Sequence, residues 1–188
     1  MIDEKLILEM VDLADITSRD HILEIGGGLG FLTRAILSKN PGKLTVIEKD
    51  PLLYKVLLDC FSSRAEVVLG DALELDFSRF NKIITNAPFS ISSKLILKMI
   101  FSDVDLVVAT FQKDFCKRLV AKPFSKDYGS LTVLTNLRFN VTLVKSISRF
   151  SFFPSPKVNS AIIVLRTIDP PIASMSELKK LYCLLYTS

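Results

Sequence analysis

Five short apolar runs separated mostly by helix-like segments constrain this chain more than any other feature. The runs are His21–Ile25, Leu44–Ile47, Glu66–Leu69, Ile83–Thr85 and Asp105–Thr110. They show little polar alternation, so each reads as a strand covered on both faces, which is the pattern of a parallel sheet. A helix over Leu6–Leu13 precedes them. Phe31–Ser38 reads as a helix stopped by Asn40-Pro41-Gly42. Asp50-Pro51 reads as an N-cap and first-turn proline opening a helix to Phe61, and Ser92–Phe101 reads as another. Phe111–Val120 and Leu131–Leu137 read as helices. Two late strands, Val141–Ser146 and Ser160–Arg166, have no obvious helix between them. The spacing predicts an α/β domain: a Rossmann-like, mostly parallel, doubly wound sheet with an antiparallel edge strand, binding its ligand at the carboxyl ends of the strands. Residues 1–168 form that domain. Asp169-Pro170-Pro171 reads as a linker and Ser176 onward as the start of a helical segment, so 169–188 is expected to open a truncated C-terminal helical domain.

Composition narrows the function classes. At 188 residues, with 49% hydrophobic and 23% charged residues, the chain is long and apolar enough for one well-packed domain. No apolar run is long enough to span a bilayer, and Met1-Ile2-Asp3-Glu4-Lys5 lacks the order of a secretory signal, so a cytoplasmic protein without a membrane partner is expected. Cys60, Cys116 and Cys183 are widely spaced, which argues against a zinc site or a disulfide framework. His21 is the sole histidine, so any histidine triad would have to use it; its place at the start of an apolar strand favours a structural role. Charge is segregated: residues 1–105 carry 12 basic and 16 acidic side chains, and residues 106–188 carry 12 and 4. A basic half of this kind fits a polyanion such as a nucleic acid.

The first strand runs into Glu24-Ile25-Gly26-Gly27-Gly28-Leu29-Gly30. Glycines there allow a sharp turn and close approach of backbone to ligand. The order does not supply the third glycine of a dinucleotide GxGxxG; Gly26, Gly28 and Gly30 instead fit the acidic-x-Gly-x-Gly-x-Gly pattern of S-adenosylmethionine enzymes. Glu48, ending the second strand, can accept hydrogen bonds from ribose hydroxyls. Asp71, after the third strand, can accept from an adenine amine. At the end of the fourth strand stands Asn86-Ala87-Pro88-Phe89. An amide, a rigid proline and an aromatic ring can hold a flat, amine-bearing base edge-on and face-on. A nicotinamide or flavin site would explain the glycines and Glu48 but not this tetrapeptide.

These residues give the chain a family likeness. It resembles the KsgA-type rRNA adenine dimethyltransferases, related to the Erm methylases and the mitochondrial transcription factor B proteins, with an archaeal cast. The likeness covers nearly the whole chain. It rests on Glu24 to Gly30, Val46-Ile47-Glu48, Gly70-Asp71-Ala72, Asn86 to Ser92, Phe111-Gln112-Lys113, Arg118-Leu119-Val120-Ala121, Lys126 to Leu131 and Phe152 to Val158. The resemblance implies transfer of methyl groups from S-adenosylmethionine to two adjacent adenosines near the 3′ end of small-subunit rRNA, by a monomer acting on the immature small ribosomal subunit. It implies cofactor contacts at Gly26, Gly28, Glu48, Asp71 and Asn86, and a target-base pocket formed by Asn86, Pro88, Phe89 and Phe152. Phe152 has a competing reading as a core aromatic.

Departures from the family are specific. Ala87 stands where Leu or Ile is usual, Phe89 where Tyr is frequent, and Ile147-Ser148-Arg149 where the family has Val-Pro-Pro. The chain starts near where the family's cofactor-closing segment ends, so truncation at both ends is expected. Two alternatives remain: an Erm-like methylase of large-subunit rRNA, and a non-catalytic assembly or transcription factor on the same fold.

Overall fold

The computed structural model describes residues 3–152 and 155–186. Met1, Ile2 and the Phe153-Pro154 pair of the late aromatic block lie outside the described residues. Helix α1 (Glu4–Leu13) leads into β1 (His21–Ile25), α2 (Phe31–Ser38), β2 (Lys43–Glu48), α3 (Pro51–Phe61), β3 (Glu66–Leu69) and β4 (Lys82–Asn86). Then follow α4 (Ser92–Ile100), β5 (Leu106–Gln112), α5 (Lys113–Leu119), α6 (Ser130–Arg138), β6 (Phe139–Ile147), β7 (Ser160–Thr167) and α7 (Met175–Tyr186). The seven strands make one sheet in the order β3-β2-β1-β4-β5-β7-β6. β1 to β5 pair in parallel, and β7 runs antiparallel between β5 and the edge strand β6. The fold is therefore the expected α/β sheet with an antiparallel addition at one edge.

Strand alternation divides the core. In β1, Leu23 and Ile25 join a cluster covered by α4, α5 and α6, while Ile22 joins a second cluster covered by α1, α2 and α3. Both faces are buried, so the strands had to be apolar throughout. Each fully buried Leu or Ile in these layers contributes about 1.5–3 kcal/mol. Helix starts follow local chemistry: Asp50 Oδ1 accepts the Leu52 and Leu53 N–H groups at 2.7 and 3.3 Å, and Pro51 occupies the first turn.

One expectation changes. Phe111 and Gln112 were expected to open a helix, yet they extend β5, paired with Ala161 and Ser160 of β7. The ladder to β7 satisfies their backbone groups, and α5 starts only at Lys113. The late helix docks on the body: Leu178 is buried, and Tyr182 meets Phe101 edge-on at 5.6 Å. Its start is held by a reciprocal cap, with Glu177 accepting the Ser174 N–H at 2.8 Å and the Glu177 N–H reaching Ser174 Oγ at 3.3 Å.

At the amino edge of the sheet, Lys82 Nζ pairs with Asp20 at 2.8 Å and Asn81 Nδ2 donates to it at 2.7 Å. Burial pushes the Asp20 carboxyl up, but these bonds and Thr17 outweigh it and hold it below its usual range. His21 also belongs to this edge. It contacts Thr45 Oγ1 at 3.2 Å and packs edge-on to Phe80, and burial together with Lys43 lowers its pKa. The role is structural.

Candidate functional site

At the carboxyl edge, β1 ends in a turn in which Gly26, Gly28 and Gly30 all have positive φ. At Gly28 (φ +56°) a side chain would meet nothing within 4 Å, so glycine is there for backbone conformation and for leaving the approach open. At Gly30 (φ +80°) a side chain would collide with Phe61, so the same residue type lets α2 and α3 pack closely.

Glu48 ties this turn to β2. Its Oε2 accepts the Gly28 N–H at 3.0 Å, and its Oε1 accepts the N–H groups of Lys49 and Asp50 at 2.8 and 3.0 Å. A carboxylate has about four acceptor sites. Three are in use, leaving about one for a ligand hydroxyl. Glu48 therefore shapes the loop as well as facing it. Asp71 pairs with Lys49 Nζ at 2.9 Å and accepts the Leu73 N–H at 2.9 Å. The Lys49 ammonium, then the backbone bond, hold its carboxyl below the usual range.

Glu24 lies under the turn in a different state. Both carboxyl oxygens are buried with no hydrogen-bond partner among the described residues, and the hydroxyl of Thr33 is likewise unpartnered. Burial pushes the Glu24 carboxyl up to about 8, opposed by the nearby Thr33 hydroxyl and reinforced by the Glu48 charge. The acidic residue of the glycine pattern is thus held toward its neutral form.

The second motif meets the first. Pro88 Cδ lies 4.0 Å from where a side-chain carbon on Gly26 would stand, so the tetrapeptide abuts the glycine turn. Asn86 closes β4, half-buried, and its Oδ1 accepts a hydrogen bond from the Thr110 hydroxyl of β5, its register partner. Ala87 is buried in the α4–α6 cluster, while Pro88 is exposed and Phe89 half-buried at the start of a short 3₁₀ turn over Phe89–Ile91. The Ser92 hydroxyl donates to the Phe89 carbonyl at 3.0 Å and steadies that turn.

The structure therefore brings Gly26, Gly28, Glu48, Asp71, Asn86, Pro88 and Phe89 to one edge of the sheet, at the ends of β1 to β4. Phe152 differs. It is only 8% exposed and packs with the α1–α3 cluster, which favours its reading as a core aromatic. Two participants were not legible beforehand. Thr110 is a fully buried hydroxyl amid the apolar residues Leu106 to Phe111, and that polarity was the available signal. Glu24 was visible only as a letter in a pattern. Among the described residues no cluster of His, Cys, Asp or Glu is placed to hold a metal ion, and no helix is long and apolar enough to cross a membrane.

Known proteins resemble this chain in sequence and in fold. The family model described as ribosomal RNA adenine dimethylase matches residues 1–187. A probable ribosomal RNA small subunit methyltransferase A from Thermococcus onnurineus is 42% identical over 166 residues, covering 88% of this chain and 61% of the relative. The protein of that name from Methanothermobacter thermautotrophicus is 36% identical over 88% of this chain and 61% of its own length. The chain thus spans about three-fifths of the length of these relatives. Among solved structures, a dimethyladenosine transferase from Plasmodium falciparum superposes with a TM-score of 0.80 at 35% identity, over 87% of this chain and 62% of that one. The 23S rRNA methyltransferase ErmE superposes with a TM-score of 0.81 at 28% identity, over 95% and 73%.

Proposed function

The chain belongs to the ribosomal RNA adenine dimethylase family, and from that premise we propose that it is the catalytic portion of an S-adenosylmethionine-dependent rRNA adenine N6-dimethyltransferase. Its substrate is a pair of adjacent adenosines near the 3′ end of small-subunit rRNA, met on the immature subunit, and it acts as a monomer in the cytoplasm. Residues 1–168 carry the chemistry and 169–188 begin a helical segment beyond it. The observation that carries the reading is the approach of Pro88 to the glycine turn, its Cδ 4.0 Å from where a side-chain carbon on Gly26 would stand. That proximity supports a base clamp beside a nucleoside-binding loop.

The residues fit the cofactor. Gly28 leaves the turn open, Glu48 keeps an acceptor for a ribose hydroxyl, and Asp71 stands at the end of β3 to receive an adenine amine. S-adenosylmethionine, when bound, supplies the electrophilic methyl group. The remaining task is to make an adenine amine nucleophilic, because its lone pair is delocalised into the ring. Asn86 Oδ1 has two lone pairs; Thr110 occupies one and fixes the amide plane, and the other accepts an N–H of the target amine. A second acceptor from the backbone of the clamp favours a pyramidal nitrogen whose lone pair points away from the ring. Phe89 stacks on the base, which must leave its own stack; such stacking contributes roughly 1–3 kcal/mol. After transfer the amine proton leaves to water. Alignment carries this reaction, so no histidine is needed.

The test is to incubate the protein with immature small subunits and labelled S-adenosylmethionine and to map the modified bases. Label on two adjacent adenosines near the 3′ end supports the reading. Label in large-subunit RNA replaces it with the Erm-like alternative, and absence of label removes the enzyme reading.

A further inference from the structure

Beyond the end of β5 the structure gathers positive charge around one cavity. A space of about 430 Å³ is lined by Lys113, Lys117, Arg149 and Lys157, with Asp114 as its one carboxylate. Lys117 Nζ holds Asp114 at 3.1 Å, and among the described residues no carboxylate pairs with Lys113, Arg149 or Lys157. The walls are tied together by Asn159. Its carbonyl accepts the Lys113 N–H at 3.0 Å, and its side-chain oxygen accepts the Arg149 N–H at 3.1 Å. The β5 end and the turn before Phe152 are thus braced at a fixed separation while their charges stay unneutralised.

Two further observations say what such a cavity takes. Gln112, at its rim, lies two residues past Thr110, the partner of Asn86, which is about 7 Å along the strand. The cavity therefore continues the carboxyl edge directly from the base clamp. Beside it, Phe150 is 73% exposed and carries the Arg149 guanidinium over its ring at 4.9 Å. Cations alone fit any anion; cations with an open aromatic face fit a nucleic acid strand.

We propose that this cavity holds the phosphodiester backbone of the single-stranded RNA flanking the base at Asn86, with Phe150 as a stacking surface for a neighbouring base. The proposal rests on the rRNA reading above and adds to it a location for the strand. It also accounts for the charge asymmetry, since the four cations come from the basic half of the chain.

The test measures binding of a twelve-nucleotide single-stranded RNA containing two adjacent adenosines, across a salt series. Lys113→Gln with Arg149→Gln is expected to weaken binding roughly tenfold and to reduce the slope of log K against log salt by about 1.4, the release expected for two phosphate contacts on a single strand. Lys39→Gln with Lys55→Gln removes equal charge from positions that do not line the cavity and is expected to change the affinity less than about twofold at physiological salt. The charge-keeping pair Lys113→Arg with Arg149→Lys should bind as the unaltered protein does, which excludes a folding defect. An unchanged slope in the Gln pair overturns the proposal, as does equal binding of polyglutamate of matched charge. Lost RNA binding in the Gln pair with no methyl transfer by the unaltered protein would uphold the cavity and remove the enzyme. Full transfer to small subunits by the Gln pair would uphold the enzyme and remove the cavity.

Discussion

On the β1–β3 side of the sheet, carboxylates are engaged: Glu48 accepts three backbone N–H groups and Asp71 is paired with Lys49. Beyond β5 the reverse holds, with Lys113, Arg149 and Lys157 facing a cavity and having no carboxylate partner among the described residues. The first region spends charge internally to fix a loop, which is what a small nucleoside ligand needs. The second leaves charge outward, which is what a long, repeating polyanion needs. The seam is the β4–β5 pairing, where Asn86 from the acidic half takes a hydrogen bond from Thr110 of the basic half.

The sharpest way to break this comparison is at the seam itself. If Asn86 orients the amine, Asn86→Ala lowers the methyl-transfer rate by about 10²–10³-fold, the usual consequence of losing a preorganised hydrogen-bonding group. RNA affinity, which belongs to the basic side, stays within about twofold because no charge is removed. Single-turnover kinetics and a binding titration read the two separately. Survival of transfer at the original rate would show that the amine is activated elsewhere.

Next in size is Glu48→Ala. Removing the carboxylate leaves the N–H groups of Gly28, Lys49 and Asp50 without their acceptor. A buried orphan donor costs about 1–3 kcal/mol, less where water reaches it. Denaturant unfolding should show a loss of that order, and calorimetry should show lost cofactor affinity with RNA binding retained. A variant as stable as the parent would mean the turn is not built on Glu48.

Glu24 breaks the pattern of its own side, because its carboxyl is buried and unpaired. Its folded pKa of about 8 lies above the ordinary value of 4.5. Between those values the unfolded chain releases the proton and the folded chain keeps it. This group's contribution to stability is therefore fully present below pH 4.5 and is lost as pH rises toward about 8, at up to about 1.4 kcal/mol per pH unit. Glu24→Gln cannot titrate. The stability of the parent relative to this variant should fall steadily across that window and level off above it; a flat difference would mean that Glu24 is ionised in the folded protein.

Local chemistry explains which parts of this molecule could be read in advance. β1, α2, α3 and β3 fall on the expected residues, because hard signals such as Asn40-Pro41-Gly42 and Asp50-Pro51 punctuate them. Phe111 and Gln112 were misassigned because their strand state comes from β7, some fifty residues away in sequence. The placement of the glycines, Glu48 and Asp71 at strand ends was legible because each ends or follows an apolar run, where a doubly wound sheet collects ligand groups. The burial of Glu24 was not, and that of Phe152 was one of two open readings, since burial is decided by which helix covers which face. Nor was the bond across 24 residues between Asn86 and Thr110.

That bond supplies the smallest and most discriminating effect. Thr110 touches neither ligand in the proposed arrangement; it positions Asn86 from inside the core, where it is fully buried. Thr110→Val keeps the shape and β-branching and removes only the hydroxyl. The Asn86 amide then loses one of its two Oδ1 bonds and can rotate. The expected loss in kcat is about tenfold, the equivalent of one ordinary hydrogen bond of about 1.4 kcal/mol, with KM for S-adenosylmethionine nearly unchanged because the donor side is untouched. Thr110→Ser restores the hydroxyl without the methyl and should recover most of the rate despite a small packing loss. A purely structural role predicts the opposite order: Val, which preserves packing, would be the more active variant and Ser the less. The ranking of Val and Ser in kcat therefore decides whether the two halves of the sheet are joined at this point by chemistry or only by packing.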